Sequence, residues 1–207
     1  EDVEKILSFF DHWDVNFSVD FMLGLPRSKE LKRDVIRELN QILAYHPDHL
    51  SLYILTVKSN YTHYAELPDE EWVEKEYLKV SDHLTKQNYA HYEVSNFAKP
   101  NKKSKHNLSY WESKTVGALG PSATGFLAVD RLRYKWKPHH ASFDIEHLND
   151  EQFQMEQSYM SLRSDLGLII PKKLQSSTFL SIIDRWEKNH WANFDGDKIT
   201  LTSRGYL

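Results

Sequence analysis

The stretch from Asn16 to Val57 constrains the fold most. Asn16–Leu23 is rich in β-forming residues, Gly24-Leu25-Pro26 ends that run, and Ser28 is placed to cap a helix. Leu31–Tyr45 then carries Leu31, Val35, Leu39, Ile42 and Leu43 at helical spacing, and His49–Val57 is a second β-rich run. Strands separated by a helix pair in parallel, because the intervening chain must return to the same end of the sheet before the second strand begins. Ligands of such parallel units gather at the C-terminal ends of the strands. Asp20 lies between Val19 and Phe21 in the first run. A carboxylate buried in such surroundings costs several kcal/mol unless it is hydrogen-bonded or paired, so the pattern requires a partner for it.

Around this unit the apolar spacing predicts an amphipathic helix over Val3–Trp13 and a strongly charged one over Asp69–Gln87, whose acids read as a solvated face. The intervening Lys58–Leu67 reads as a polar loop. The chain has no cysteine, which excludes a disulfide scaffold, a thiol nucleophile and cysteine-held zinc or iron–sulfur sites within it, and suits a reducing, cytoplasmic setting. A net charge of −4 gives no whole-molecule field for nucleic acid, and no apolar run is long enough for a membrane span. The charged start shows neither a signal peptide nor an initiating methionine.

Chemistry concentrates between Tyr92 and Phe126. A strand is predicted over Tyr92–Phe97, followed by Lys99, Lys102, Lys103 and Lys105 with no acid among them, then His106-Asn107 and Tyr110-Trp111, then the small-residue run Gly117–Ala123. Taken singly, these are a loop histidine, two core aromatics with polar handles and a solvated basic loop. Together they suit a flat apolar ligand with acidic edges, which needs aromatic faces, cations and an axial nitrogen. Further on, Leu127–Trp136 reads as strand with a turn at Asp130, and Asp150–Arg163 as helix. A second helix runs from Pro171 to about Asn189, and Trp191–Thr202 is a hairpin turning at Asp195-Gly196. Two helices and a hairpin are winged-helix-like, but the mild charge points to a packing lid rather than a DNA reader. His139-His140 reads as a pair of exposed loop residues rather than a shared metal site.

YEVSNFA at 92–98, HNLSYW at 106–111 and GALGPSATGF at 117–126 resemble the haem-chaperone branch of the oxygen-independent coproporphyrinogen III oxidase family of radical S-adenosylmethionine proteins. VDFMLGLP at 19–26, PDHLSLYILT at 47–56, MSLR at 160–163 and LTSRG at 201–205 extend the resemblance. It implies an α/β fold: the last part of a partial (β/α)6 barrel over residues 1–98, an extension with the HNLSYW motif over 99–148 and a helical domain over 149–207. It also implies that Asp20 and Thr56 contact S-adenosylmethionine. Haem would sit against Asn107, Tyr110 and Trp111, with His106 as candidate iron ligand and lysines or arginines pairing with its propionates. The family's CxxxCxxC motif and GGGTP loop, and with them the [4Fe-4S] ligands, do not occur in the sequence. The expectation is a piece of a longer protein, unable to cleave S-adenosylmethionine alone, whose open barrel edge would be covered by pairing or oligomerisation. Three readings follow: haem binding and transfer to an acceptor protein, oxidative decarboxylation of coproporphyrinogen III, or an inactive fragment.

Overall fold

Alternation along the first strand decides which side of it meets the core. Phe21 and Leu23 are buried while Asp20 and Met22 are exposed, as period-two geometry requires. The computed structural model describes residues 2–139 and 142–207, so the predicted exposure of His140 lies outside the described residues. The chain divides into two compact units between Lys103 and Ser104.

The first unit runs α1 (Asp2–His12), β1 (Ser18–Leu23), α2 (Val35–Leu43), β2 (His49–Ile54), α3 (Glu70–Lys86), β3 (Ala90–Glu93) and β4 (Asn96–Ala98). Its sheet has the order β1-β2-β4-β3, with β1 and β2 parallel in the register Ser18 to His49 through Leu23 to Ile54. On one face Phe21, Leu23, Leu50, Leu52 and Phe97 form a buried core with Val35 and Leu39 of α2 and Tyr77, Val80 and Leu84 of α3. Each such side chain stabilises the unit by about 1.5–3 kcal/mol. In register, Asp20, Ser51, Asn96 and Glu93 form one row across all four strands.

Four expectations change. Asp20 is exposed rather than buried, because it falls on the side of β1 away from the helices, and so needs no internal counter-charge. The strand predicted over Tyr92–Phe97 is a hairpin, β3 and β4 joined through Val94 and Ser95. Helix α2 starts late because Asp34, not Ser28, caps it by accepting from the Arg37 amide; Ser28 is buried and Leu31 exposed. Helix α1 forms but buries only Leu7, leaving Val3, Ile6, Phe9 and Trp13 exposed.

The second unit comprises α4 (Lys105–Trp111), β5 (Thr124–Leu127), β6 (Leu132–Trp136), β7 (Phe143–His147), α5 (Asp150–Leu162), β8 (Leu168–Ile169), α6 (Ser177–Lys188), β9 (Ala192–Asp195) and β10 (Lys198–Leu201). Strands β5-β6-β7 and β8-β10-β9 make two antiparallel sheets. Ile183 of α6 packs with Ala192 and Ile199 of the predicted hairpin. Asn149 and Gln152 form a reciprocal capping box at the start of α5. Pro171 opens only a single 3-10 turn; α6 begins at Ser177 because Ser176 caps it. The predicted turn at Asp130 separates the end of β5 from β6.

Beneath the first sheet the His91 ring stacks on Phe97 at 4.0 Å and touches Tyr77 and Ser81 of α3. Burial pushes its pKa from the ordinary 6.5 down to about 4. The unfolded chain therefore takes up this proton first as pH falls, and stability present above 6.5 is lost on the way to about 4. His91→Phe should flatten that acid limb, by about 2–3 kcal/mol at its foot, in denaturant titrations across pH; an unchanged limb would assign the acid sensitivity elsewhere.

Candidate functional site

In the first unit a cavity of about 700 Å³ lies past the C-terminal ends of β1 and β2. Gly24, Ile54 and Thr56 line it, with Tyr64 and with Glu70 and Glu74 from the first turns of α3. Gly24 turns the chain out of β1 with φ +71°, a conformation open to glycine at little cost. Thr56 is at this cavity and Asp20 is not among its lining residues, so the two predicted S-adenosylmethionine contacts do not share one cavity. Asp20 lies nearer His49, whose Nδ1 is 2.7 Å from Ser18 Oγ and whose Nε2 is 2.8 Å from the Tyr92 hydroxyl. Burial holds the His49 imidazole below its ordinary range, opposed by the Asp20 carboxylate, which keeps a neutral ring with one nitrogen donating and the other accepting. Asn96 Oδ1, in the same row as Asp20, is buried without a hydrogen-bond partner among the described residues. Sequence reasoning missed His49 and Asn96; the interruption of PDHLSLYILT by a histidine was the available signal.

The basic loop is less free than its composition suggests. Lys99 Nζ donates to the His46 carbonyl at 3.0 Å and sits over the Tyr89 ring, and Lys102 pairs with Asp48 at 3.3 Å and bonds Asn16. Lys103 lies over the Tyr92 ring at 5.5 Å. Only Lys105, the first residue of α4, remains exposed with no ion pair among the described residues.

In the second unit HNLSYW is helical. Ser104 caps α4 by accepting from the Asn107 amide, and the four candidate haem residues divide by helical spacing. His106 and Tyr110 share an exposed face, their rings perpendicular with centroids 5.0 Å apart. The His106 ring nitrogens bond nothing among the described residues. Asn107 and Trp111 are half-buried on the next face, where the Arg163 guanidinium lies over the Trp111 ring at 5.6 Å. Tyr110 also borders a cavity of about 170 Å³ with Lys114, Gly125, Phe126, Arg133 and Met160. Arg133 closes it as an ion pair with Glu156, and Glu146 is a second partner at 2.7 Å. The Gly117–Ala123 run is tied to β6: the Ala118 amide donates to the Tyr134 hydroxyl at 2.8 Å and Trp136 Nε1 donates to the Ala118 carbonyl at 2.7 Å.

Across nearly the whole chain, this fold has a counterpart among solved structures. The structure superposes on coproporphyrinogen III oxidase (HemN) from Escherichia coli, a radical SAM enzyme, with a TM-score of 0.68 at 15% identity, covering 99% of this chain and 56% of that one. No protein-family model matches the chain. Curated relatives are more specific. The heme chaperone HemW of Buchnera aphidicola is 35% identical over 128 residues, 60% of this chain and 32% of that protein. HemW of Lactococcus lactis is 29% identical over 174 residues, 76% and 45%, and that of Mycobacterium tuberculosis 25% over 223 residues, 99% and 55%. The chain is similar to radical SAM, coproporphyrinogen oxidase-like proteins of the haem-chaperone branch. It spans about a third to just over half the length of these relatives.

The cavity beside α4 depends on one glycine. A Cβ at Gly125 would come within 2.3 Å of the Tyr134 ring, which Ala118 holds in place, whereas a Cβ at Gly117 meets nothing within 4 Å. Gly125→Ala is expected to destabilise the second unit by about 1–3 kcal/mol in denaturant unfolding, with Gly117→Ala within about 0.5 kcal/mol of the parent. Equal stability of the two variants would mean that the sheet adjusts freely around Tyr134.

Proposed function

We propose that this chain carries the haem-binding part of a haem-transfer protein, with His106 as the iron ligand and Tyr110, Asn107 and Trp111 framing the ring. The observation that carries the reading is the exposed His106 imidazole beside Tyr110, with both ring nitrogens unengaged among the described residues. That donor set fits haem: imidazole is a common axial ligand, and aromatic rings pack on the macrocycle. Bound haem would supply the iron and the cargo itself; the protein's share is to ligate, orient and release it. The names of the relatives support this over oxidative decarboxylation of coproporphyrinogen III. A haem-accepting protein is the partner this reading requires.

The first unit, on the same proposal, is the closing part of a partial (β/α)6 barrel that binds S-adenosylmethionine, and the helix and hairpin at the end of the second are a winged-helix-like module. Asp20 is an exposed acceptor for the ligand's sugar, Asn96 Oδ1 a buried acceptor still lacking a donor, and the cavity at Thr56 has room for a purine. A [4Fe-4S] cluster does not fit this chain, which has no cysteine and no metal-binding group of three His, Asp or Glu among the described residues. No step is therefore assigned to a cluster within it. No helix among the described residues is long and apolar enough to cross a membrane.

Haemin titration of the purified chain tests the haem assignment. His106→Ala should shift or abolish the Soret band, because the iron–nitrogen bond is lost. Trp111→Ala should lower its amplitude with little change in position, since it removes an aromatic face rather than a ligand. Spectra equal to the parent's in both variants would move the haem elsewhere.

A further inference from the structure

Four of the arginines meet an acid: Arg27 pairs with Glu30, Arg33 with Glu38, Arg131 with Asp150 and Arg133 with Glu146. Arg163 does not. Its half-buried guanidinium lies over two aromatic rings, 5.6 Å from the Trp111 centroid and 5.2 Å from that of Tyr159, and has no carboxylate or hydrogen-bond partner among the described residues. Its place at the C-terminal cap of α5 favours a cation through the helix dipole, but does not account for the two stacked faces. Stacking holds the planar fork in one orientation without using its N–H donors, so less conformational freedom is lost when an acceptor arrives. A second donor waits beside it: Trp111 Nε1 is buried with no acceptor among the described residues, an uncommon state for an indole N–H. Two sets of unanswered donors on facing helices, one of them charged, call for a planar anionic acceptor.

We propose that Arg163 and the Trp111 indole form a carboxylate-binding site, which takes one propionate of the tetrapyrrole. The identity of the ligand rests on the haem reading above; the site itself does not. It supplies the anion recognition that the basic loop was expected to provide before Lys99, Lys102 and Lys103 proved to be engaged within the first unit.

Metal-free protoporphyrin IX and its dimethyl ester separate carboxylate recognition from iron ligation. Binding is read by quenching of tryptophan fluorescence in the purified chain, beside a parallel haemin titration that reads the Soret band. The parent is expected to bind the diacid about tenfold or more tighter than the diester, a ratio typical of a charged hydrogen bond. Arg163→Gln should remove the preference, and Trp111→Phe should reduce it several-fold. Equal binding of acid and ester by the parent, no binding of either, or a full preference kept by a folded Arg163→Gln would each overturn the proposal. Should Arg163→Gln fail to fold, Arg163→Lys decides: it keeps the charge without the planar fork and should cut the preference several-fold, and a preference equal to the parent's overturns the site. A diacid preference without any haemin Soret change sinks the haem reading and keeps Arg163; a Soret change without a diacid preference does the reverse.

Discussion

Parallel pairing of β1 with β2 is the constraint from which the first unit follows. It sends the chain across one face of the sheet between the strands, so α2 and later α3 must cover Phe21, Leu23, Leu50 and Leu52 on that side. Everything polar on the strands is then left to the other side or to the strand ends. Asp20, Ser51 and Asn96 fall in one row, and His49 links Ser18 to Tyr92 across the sheet. The same pairing sets the ends of both strands side by side, where Gly24 turns away and the cavity at Thr56 opens.

The second unit solves a different problem. HNLSYW is too short for its helical period to bury a whole face, and its capped helix instead sorts the residues into an exposed pair and a half-buried pair. The exposed pair, His106 and Tyr110, meets edge to face, and Trp111 of the half-buried pair lies under Arg163 of the α5 cap. Such a segment is held in place where its aromatic ring meets Arg163 and open to solvent on its opposite side.

Long periodic segments were legible in the sequence. The parallel strand pair, α3, α5 and the hairpin turning at Asp195-Gly196 all follow from apolar spacing and turn chemistry. Short elements were not. Tyr92–Phe97 reads as a continuous strand because Val94 and Ser95 are ordinary strand residues, and only the sheet shows that they form a turn. Strand β7 escapes because all five of its residues are exposed, so no burial alternation marks it. At the candidate site the residue types were visible but their grouping was not. Whether Trp111 shares a face with His106, and whether a lysine is free or already paired, depends on contacts that linear spacing does not encode.

The engagement of the basic loop also bears on how a charged ligand would approach. From composition, Lys99, Lys102 and Lys103 suggest a patch of positive potential reaching into solvent. Asp48 offsets the charge of Lys102, whereas the ring faces under Lys99 and Lys103 hold those cations in place without cancelling their charge. The loop therefore keeps part of its long-range attraction for an anion, which salt screens at the ~8 Å Debye length of physiological ionic strength. Encounter rates of an anion with this surface should then fall as ionic strength rises, while the orientation of Lys99 and Lys103 stays fixed by the rings beneath them.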